Sequence, residues 1–396
     1  MRVYMDNAAT TRMSKLALES MTACMSQAWG NPSSLHQTGQ KAAEILLESR
    51  KIVATCLNAA SEEIYFVSGG SEADNQAILS AAAIGERQGK KHIISTAFEH
   101  HAVLHTLERL QKRGFEITLL PVYEEGIIRL EDLRQAVRGD TCLVTVMYVN
   151  NEIGTIQPVR EIGAFCRKRK ILFHTDAVQA AGHLSLDVQE LCVDMLSISA
   201  HKFHGPKGVG ALYVRKGIPL TNLIDGGAQE RGKRGGTENV AGIFSMAAAL
   251  QDADGHRQEH EDKVLHLRNR LAEGLNKIPH SKINGSMESR VAGNLNMVFE
   301  GIEGESMLLM LTDRGIEASS GSACTSGSLD PSHVLLSLGL PHEVAHGSLR
   351  LSLSFLNTEE EVDYVLSVLP DIVSYLRDMS PVWHELQKGE LQYVIQ

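Results

Sequence analysis

At 396 residues and 43% hydrophobic, the chain can bury a large core without disulfide or metal staples, and two domains are the expectation for this length. Its 38 Lys and Arg against 48 Asp and Glu give a net charge of -10, which excludes nucleic-acid binding through a generally basic face, so an anionic ligand must be met by local groups. The cysteines Cys24, Cys56, Cys142, Cys166, Cys192 and Cys324 form no C-x-x-C pair or close Cys/His set, and no signal-like or bilayer-spanning run is present, which reads as a reduced, cytoplasmic protein with no membrane role.

From residue 64 to 214 short β-rich apolar runs alternate with longer helical patterns. The spacing predicts strands over 64–67, 92–95, 117–120, 143–148, 172–175, 195–199 and 210–214, with helices near 71–87, 101–113, 130–137 and 159–170. That rhythm implies an α/β fold with a mostly parallel seven-stranded sheet buried on both faces. A glycine-rich, charged stretch over 225–237 precedes a helical segment over 238–275, and the domain boundary is expected within that segment. An α+β pattern follows, with strands near 295–299 and 349–353 and a final helix over 358–377. The expected division is a large cofactor-binding domain over 14–255 and a smaller α+β domain made of 1–13 and 256–396.

Ligands of such sheets collect where strand carboxyl ends lead into helix N-termini. Ser199-Ala200-His201-Lys202-Phe203-His204-Gly205 follows an apolar strand, a position in which a lysine can be desolvated and serve Schiff-base chemistry. A loop lysine can equally be a solvated surface charge. Asp176 ends another apolar strand, where it can hold a pyridinium nitrogen protonated or cap the following turn. Gly69-Gly70-Ser71 is a glycine turn opening a helix, suited to a phosphate or simply to capping. His100 follows a further strand end and can move protons or be structural. Cys324, in the small and polar run 318–330, reads either as an accessible nucleophile in an exposed, mobile loop or as an incidental thiol.

These elements, in this order, resemble the fold-type I pyridoxal 5'-phosphate (PLP) enzymes, and in detail the NifS-like cysteine desulfurases. The matching stretches include Asp6-Asn7-Ala8-Ala9-Thr10-Thr11, the glycine turn, Glu99-His100, Asn150-Asn151-Glu152, the run 174–179, Ser199 to Lys202, Arg234-Gly235-Gly236-Thr237 and Ser320-Gly321-Ser322-Ala323-Cys324. The resemblance implies that Lys202 holds PLP as a Schiff base, Asp176 pairs with the ring nitrogen, Gln179 bonds the ring hydroxyl and His100 stacks on the ring. Gly70, Ser71, Ser199 and His201 would hold the phosphate. Thr237 would reach the phosphate of a partner subunit, which implies a homodimer. Asn151 would contact cofactor and substrate, and Arg350 would clamp the substrate carboxylate. Cys324 would take sulfur from L-cysteine as a persulfide, leaving L-alanine, and pass it to an acceptor such as an iron-sulfur scaffold, where it could also serve as a transient cluster ligand; no resident metal is expected. Ser71 stands where the family more often has Thr, and 354–357 departs from the family pattern. Alternatives are a selenocysteine lyase, another fold-type I lyase or aminotransferase with an incidental Cys324, or a sulfur-carrying assembly scaffold.

Overall fold

The computed structural model describes residues 1–320 and 331–395. Its strands, in chain order, are β1 Val3–Tyr4, β2 Ile64–Val67, β3 His92–Thr96, β4 Glu116–Leu120, β5 Thr141–Thr145, β6 Leu172–Asp176, β7 Met195–Ser199, β8 Gly210–Val214, β9 Ser281–Ile283, β10 Asn294–Phe299, β11 Ile316–Glu317 and β12 Ser348–Ser352. The central sheet has seven strands in the order β2-β8-β7-β6-β5-β3-β4. All neighbouring pairs are parallel except those of β8, which runs antiparallel to β2 and β7. The link from β7 to β8, residues 200–209, is too short for a parallel crossover, so β8 must turn straight back, and the Lys202 segment is that turn. Apolar side chains cover both faces of the sheet, as a mostly parallel sheet requires.

The fifth strand stops at Thr145 rather than continuing to 148. Its neighbour β3 ends at Thr96, and the Met147 N–H donates instead to both carboxylate oxygens of Glu99, at 3.0 Å each. The helical stretch after residue 238 is two helices, Val240–Gly255 and Arg257–Leu275, broken at His256, whose φ of -108° and ψ of 11° are not helical. The C-terminal helix Glu359–Met379 starts from a Thr358/Glu361 capping box, and a further helix, Pro381–Lys388, begins at the N-cap Ser380.

A second core joins Val3 and Met5 to the helices Arg257–Leu275 and Glu359–Met379 and to the three-stranded sheet β12-β10-β9. Strand β1 pairs with β11, so the N-terminus is stitched to residues 316–317. One buried ion pair ties the glycine-rich stretch to the sheet: Arg50 donates to Glu230 through both terminal nitrogens, at 2.7 and 2.6 Å, and Glu230 also accepts from the Phe66 N–H at 3.0 Å.

Candidate active site

The carboxyl ends of β6 and β7 and the start of the helix Gly70–Arg87 enclose a cleft of about 350 Å³. Its walls include Gly70, Ser71, His100, Asn151, Asp176, Gln179, Ser199, His201, Lys202 and Arg350. Ten of the expected cofactor and substrate residues are thus brought together, from positions that span 280 residues of sequence (350 − 70). Thr237 is exposed and does not line the cleft of its own chain. Cys324 lies outside the described residues.

Lys202 sits in a single 3₁₀ turn, Ala200–Lys202, directly after β7. Its Nζ donates to the carbonyls of Ala8 and Ala9, at 2.6 and 2.8 Å. Gln179 Nε2 donates to the same Ala8 carbonyl at 2.8 Å, so the turn that follows β1 forms a floor shared by both side chains. Asp176, the last residue of β6, accepts the Val178 N–H on Oδ1 at 2.9 Å, which fixes its carboxylate at the turn. Burial raises its pKa to about 6, against the opposing pull of that N–H and of the Lys202 ammonium.

His100 caps the helix His101–Gln111 by accepting the Ala102 N–H on Nδ1 at 3.1 Å, so the neutral ring carries its proton on Nε2. Burial, with Lys202 and the neighbouring histidines His101, His333 and His105 adding to it, lowers its pKa to about 4 and keeps the ring neutral. His201 is also driven down to about 4 by burial and by Lys202 and Lys207; its Nδ1 lies 3.2 Å from Thr10 Oγ1.

The helix Gly70–Arg87 begins without a side-chain cap at Gly69, leaving first-turn N–H groups and the helix dipole for an anion. A side chain at Gly70 would bring its Cβ within 2.6 Å of Val178 Cγ2, so glycine is what permits the turn to close on the β6 loop. Arg350, on β12 and 1% exposed, donates from Nη2 to Asp6 Oδ1 at 2.9 Å and from Nη1 to the Asn151 carbonyl at 3.0 Å, and its Nε has no partner among the described residues. The Arg350 backbone also pairs with Ser319, next to the segment that carries Cys324. The 354–357 run points elsewhere: Phe355 stacks on His260 at 3.9 Å beside a separate small cavity.

Four contributors were not foreseen from sequence. The Ala8 and Ala9 carbonyls act through backbone, which residue identity cannot signal. Asp6 is 344 positions from its partner Arg350. Asp74, buried at 1% exposure and lining the cleft, could have been noticed as a carboxylate one helical turn beyond Gly70.

These residues suit PLP: an amine at a strand end, a buried carboxylate for a ring nitrogen, a neutral imidazole and an open helix N-terminus for the phosphate. A class-V aminotransferase family model matches residues 3–365. A Clostridium botulinum (strain Hall) protein named cysteine desulfurase IscS is 52% identical over 392 residues, 98% of each chain. A Methanosarcina thermophila protein of the same name is 52% identical over 380 residues, 96% of this chain and 94% of that one. A solved structure described as a NifS-like protein superposes with a TM-score of 0.89 at 40% identity, over 95% of this chain and 100% of that one.

The chain belongs to the class-V aminotransferase family of PLP-dependent enzymes. Within that family its place is among the cysteine desulfurases.

Proposed function

We propose that the chain takes sulfur from L-cysteine, releasing L-alanine and leaving a persulfide on Cys324. The balance is L-cysteine plus the Cys324 thiol giving L-alanine plus the Cys324 persulfide, with no external oxidant or reductant. PLP, when bound, supplies an electron sink for charge developing at the substrate's Cα. Lys202 would bind the cofactor, Asp176 would face its ring nitrogen, Gln179 its hydroxyl, and Gly70, Ser71, Ser199 and His201 its phosphate. Lys202 Nζ and His100 Nε2 would take and return the proton at Cα, a role that suits a ring held neutral above about pH 4. Arg350 and Asn151 would orient the substrate carboxylate, so that the substrate sulfur is presented to the Cys324 thiolate. The observation that carries this reading is the meeting of Lys202, Asp176, His100 and Arg350 in one cleft whose arginine pairs, through its backbone, with Ser319 at the edge of the Cys324 segment.

Residues 14–255 would act as the cofactor domain, and 1–13 with 256–396 as the smaller domain. The active species would be a cytoplasmic homodimer in which exposed Thr237 reaches the partner's cofactor phosphate. Exposed Trp29 and Leu35, 74% and 91% accessible, supply apolar surface for such an interface. The persulfide would pass to an acceptor such as an iron-sulfur scaffold protein. The test is a Cys324→Ala enzyme assayed for alanine and sulfide from L-cysteine with its PLP in place. Loss of turnover supports the persulfide route, and wild-type turnover would support a lyase in which Cys324 is incidental.

A further inference from the structure

Cys324 lies in sequence between Ser319 and Ser332, and both of these residues are fastened beside Arg350 and Asn151. Ser319 exchanges two backbone hydrogen bonds with Arg350: its N–H donates to the Arg350 carbonyl at 3.3 Å, and the Arg350 N–H donates to its carbonyl at 2.6 Å. Ser332 is the N-cap of the helix His333–Ser337, where its Oγ accepts the Val334 and Leu335 N–H groups at 3.1 and 3.4 Å. Those two bonds occupy the lone pairs of the hydroxyl oxygen, and its one proton is donated to Glu152 Oε2. Glu152 and Ser332 are 5% and 3% exposed, so the bond is shielded from competing water.

Glu152 is itself held on both sides of its backbone. Its N–H donates to Asn150 Oδ1 at 2.9 Å, and its carbonyl accepts the side-chain amides of Asn294 and Asn296, each at 3.2 Å. Asn296 stands opposite Arg350 in the β10–β12 register, and Arg350 Nη1 donates to the carbonyl of Asn151, the residue before Glu152. The Glu152 carboxyl group therefore projects from a backbone already fixed to Arg350 and reaches the first turn of the helix that follows the Cys324 segment. A further bond holds that helix from the other side, where His333 Nε2 donates to the Glu99 carbonyl at 3.0 Å. Nothing in the proposed chemistry uses Glu152.

We propose that Glu152 is a positioning residue for sulfur transfer: by accepting the Ser332 hydroxyl it ties the chain beyond Cys324 to the Asn151–Arg350 corner of the cleft, where the substrate is held. Fixing the thiol's segment to the residues that orient the substrate raises the effective concentration of one at the other. This rests on the reading of Cys324 as the sulfur acceptor. Glutamine at position 152 keeps an oxygen that accepts the same hydroxyl. Alanine at 152 removes the bond, and alanine at 332 removes both the bond and the helix cap.

The experiment compares full-length, PLP-loaded wild type, Glu152→Gln, Glu152→Ala, Ser332→Ala, the Glu152→Ala/Ser332→Ala double variant and Cys324→Ala in single turnovers with L-cysteine. Two signals are followed: the change in the visible cofactor band as L-cysteine binds, and the formation of alanine and persulfide. Half-saturation of the band change should stay within about twofold of wild type in the Glu152 and Ser332 variants. Alanine and persulfide formation should slow about tenfold in Glu152→Ala and Ser332→Ala, the loss of roughly one net hydrogen bond, and stay within about threefold of wild type in Glu152→Gln. The double variant should be no slower than about threefold below the slower single one, because both changes remove the same bond. Amide hydrogen exchange over residues 333–337 should quicken in Glu152→Ala and not in Glu152→Gln. Each of the following would overturn the proposal: wild-type sulfur transfer or unchanged exchange in Glu152→Ala, Glu152→Gln as slow as Glu152→Ala, losses that multiply in the double variant, or half-saturation raised about tenfold in Glu152→Ala, which would make the defect one of binding. If Glu152→Ala does not fold, Ser332→Ala at the wild-type rate or Glu152→Gln slowed about tenfold overturns it. Cys324→Ala separates the two readings, because alanine formed there at the wild-type rate overturns the Cys324 assignment, while exchange over 333–337 reports on the Glu152 link alone.

Discussion

Replacing Arg350 with lysine keeps the charge and removes the fork. In the wild type, Nη2 is committed to Asp6 at 2.9 Å and Nη1 to the Asn151 carbonyl at 3.0 Å, while Nε has no partner among the described residues. A lysine has one nitrogen, which cannot restrain Asp6, hold Asn151 and meet a substrate carboxylate in the planar bidentate manner. Losing one charge-assisted hydrogen bond to the substrate costs about 1.5–3 kcal/mol. At about 1.4 kcal/mol per factor of ten, kcat/KM for L-cysteine should fall about 10- to 150-fold. A carboxylate contact made by Arg350 would exist before and during reaction, so the loss should fall mainly on KM. The assay is alanine release over a range of L-cysteine concentrations, with the visible band of the lysine-bound cofactor recorded as a control. A kcat/KM within threefold of wild type, with that band intact, would refute the assignment of Arg350 to the carboxylate. A fall carried entirely by kcat would contradict its role in ground-state binding.

Other expectations follow from the same geometry. Lys202→Ala should lose both the visible cofactor band and desulfurase turnover, and borohydride treatment followed by denaturation should leave no PLP bound to the protein. Arg50→Ala strands the Glu230 carboxylate in a site where the two side chains are 10% and 2% exposed. Breaking such a pair costs about 3–5 kcal/mol and should lower the thermal midpoint measurably by calorimetry. Glu99, fully buried, has its pKa raised to about 8 by burial, so the folded protein keeps a proton that the unfolded chain releases near pH 4.5. That contribution to stability is complete below about pH 4.5 and is lost as pH rises to about 8, at about 1.4 kcal/mol per pH unit. Between pH 6.5 and 8, where unfolded histidines are mostly neutral, the thermal midpoint should therefore fall with rising pH, and Glu99→Gln should flatten that fall. An unchanged slope in Glu99→Gln would show that Glu99 is ionised in the folded state.

The sheet was readable because each of its strands is an apolar run bounded by polar turns, and its helices carry the longer period. Strand β8 is the antiparallel member of a sheet expected to be mostly parallel, for a reason that the sequence does contain, since the Lys202 link is too short for a crossover. The end of β5 was not readable, because a buried carboxylate from Glu99 takes the Met147 N–H that a neighbouring strand would otherwise accept. The helix Pro381–Lys388 lies beyond the helix expected to be the last, and its signal was Ser380 followed by Pro381. In the site, Lys202, Asp176 and His100 were legible because strand-end position and residue type coincide. The Ala8 and Ala9 carbonyls and the Asp6–Arg350 pair were not, because backbone acceptors and contacts across most of the chain leave no local pattern.

In the proposed reaction sulfur passes from L-cysteine onto Cys324. Mass spectrometry of the PLP-loaded protein after one turnover with ³⁴S-labelled L-cysteine, with free thiols alkylated and peptides mapped, tests it most directly. The expected result is one labelled sulfur on the peptide containing Cys324, formed together with one equivalent of alanine and absent in Cys324→Ala. Alanine formed at the wild-type rate with no label on Cys324 would contradict it.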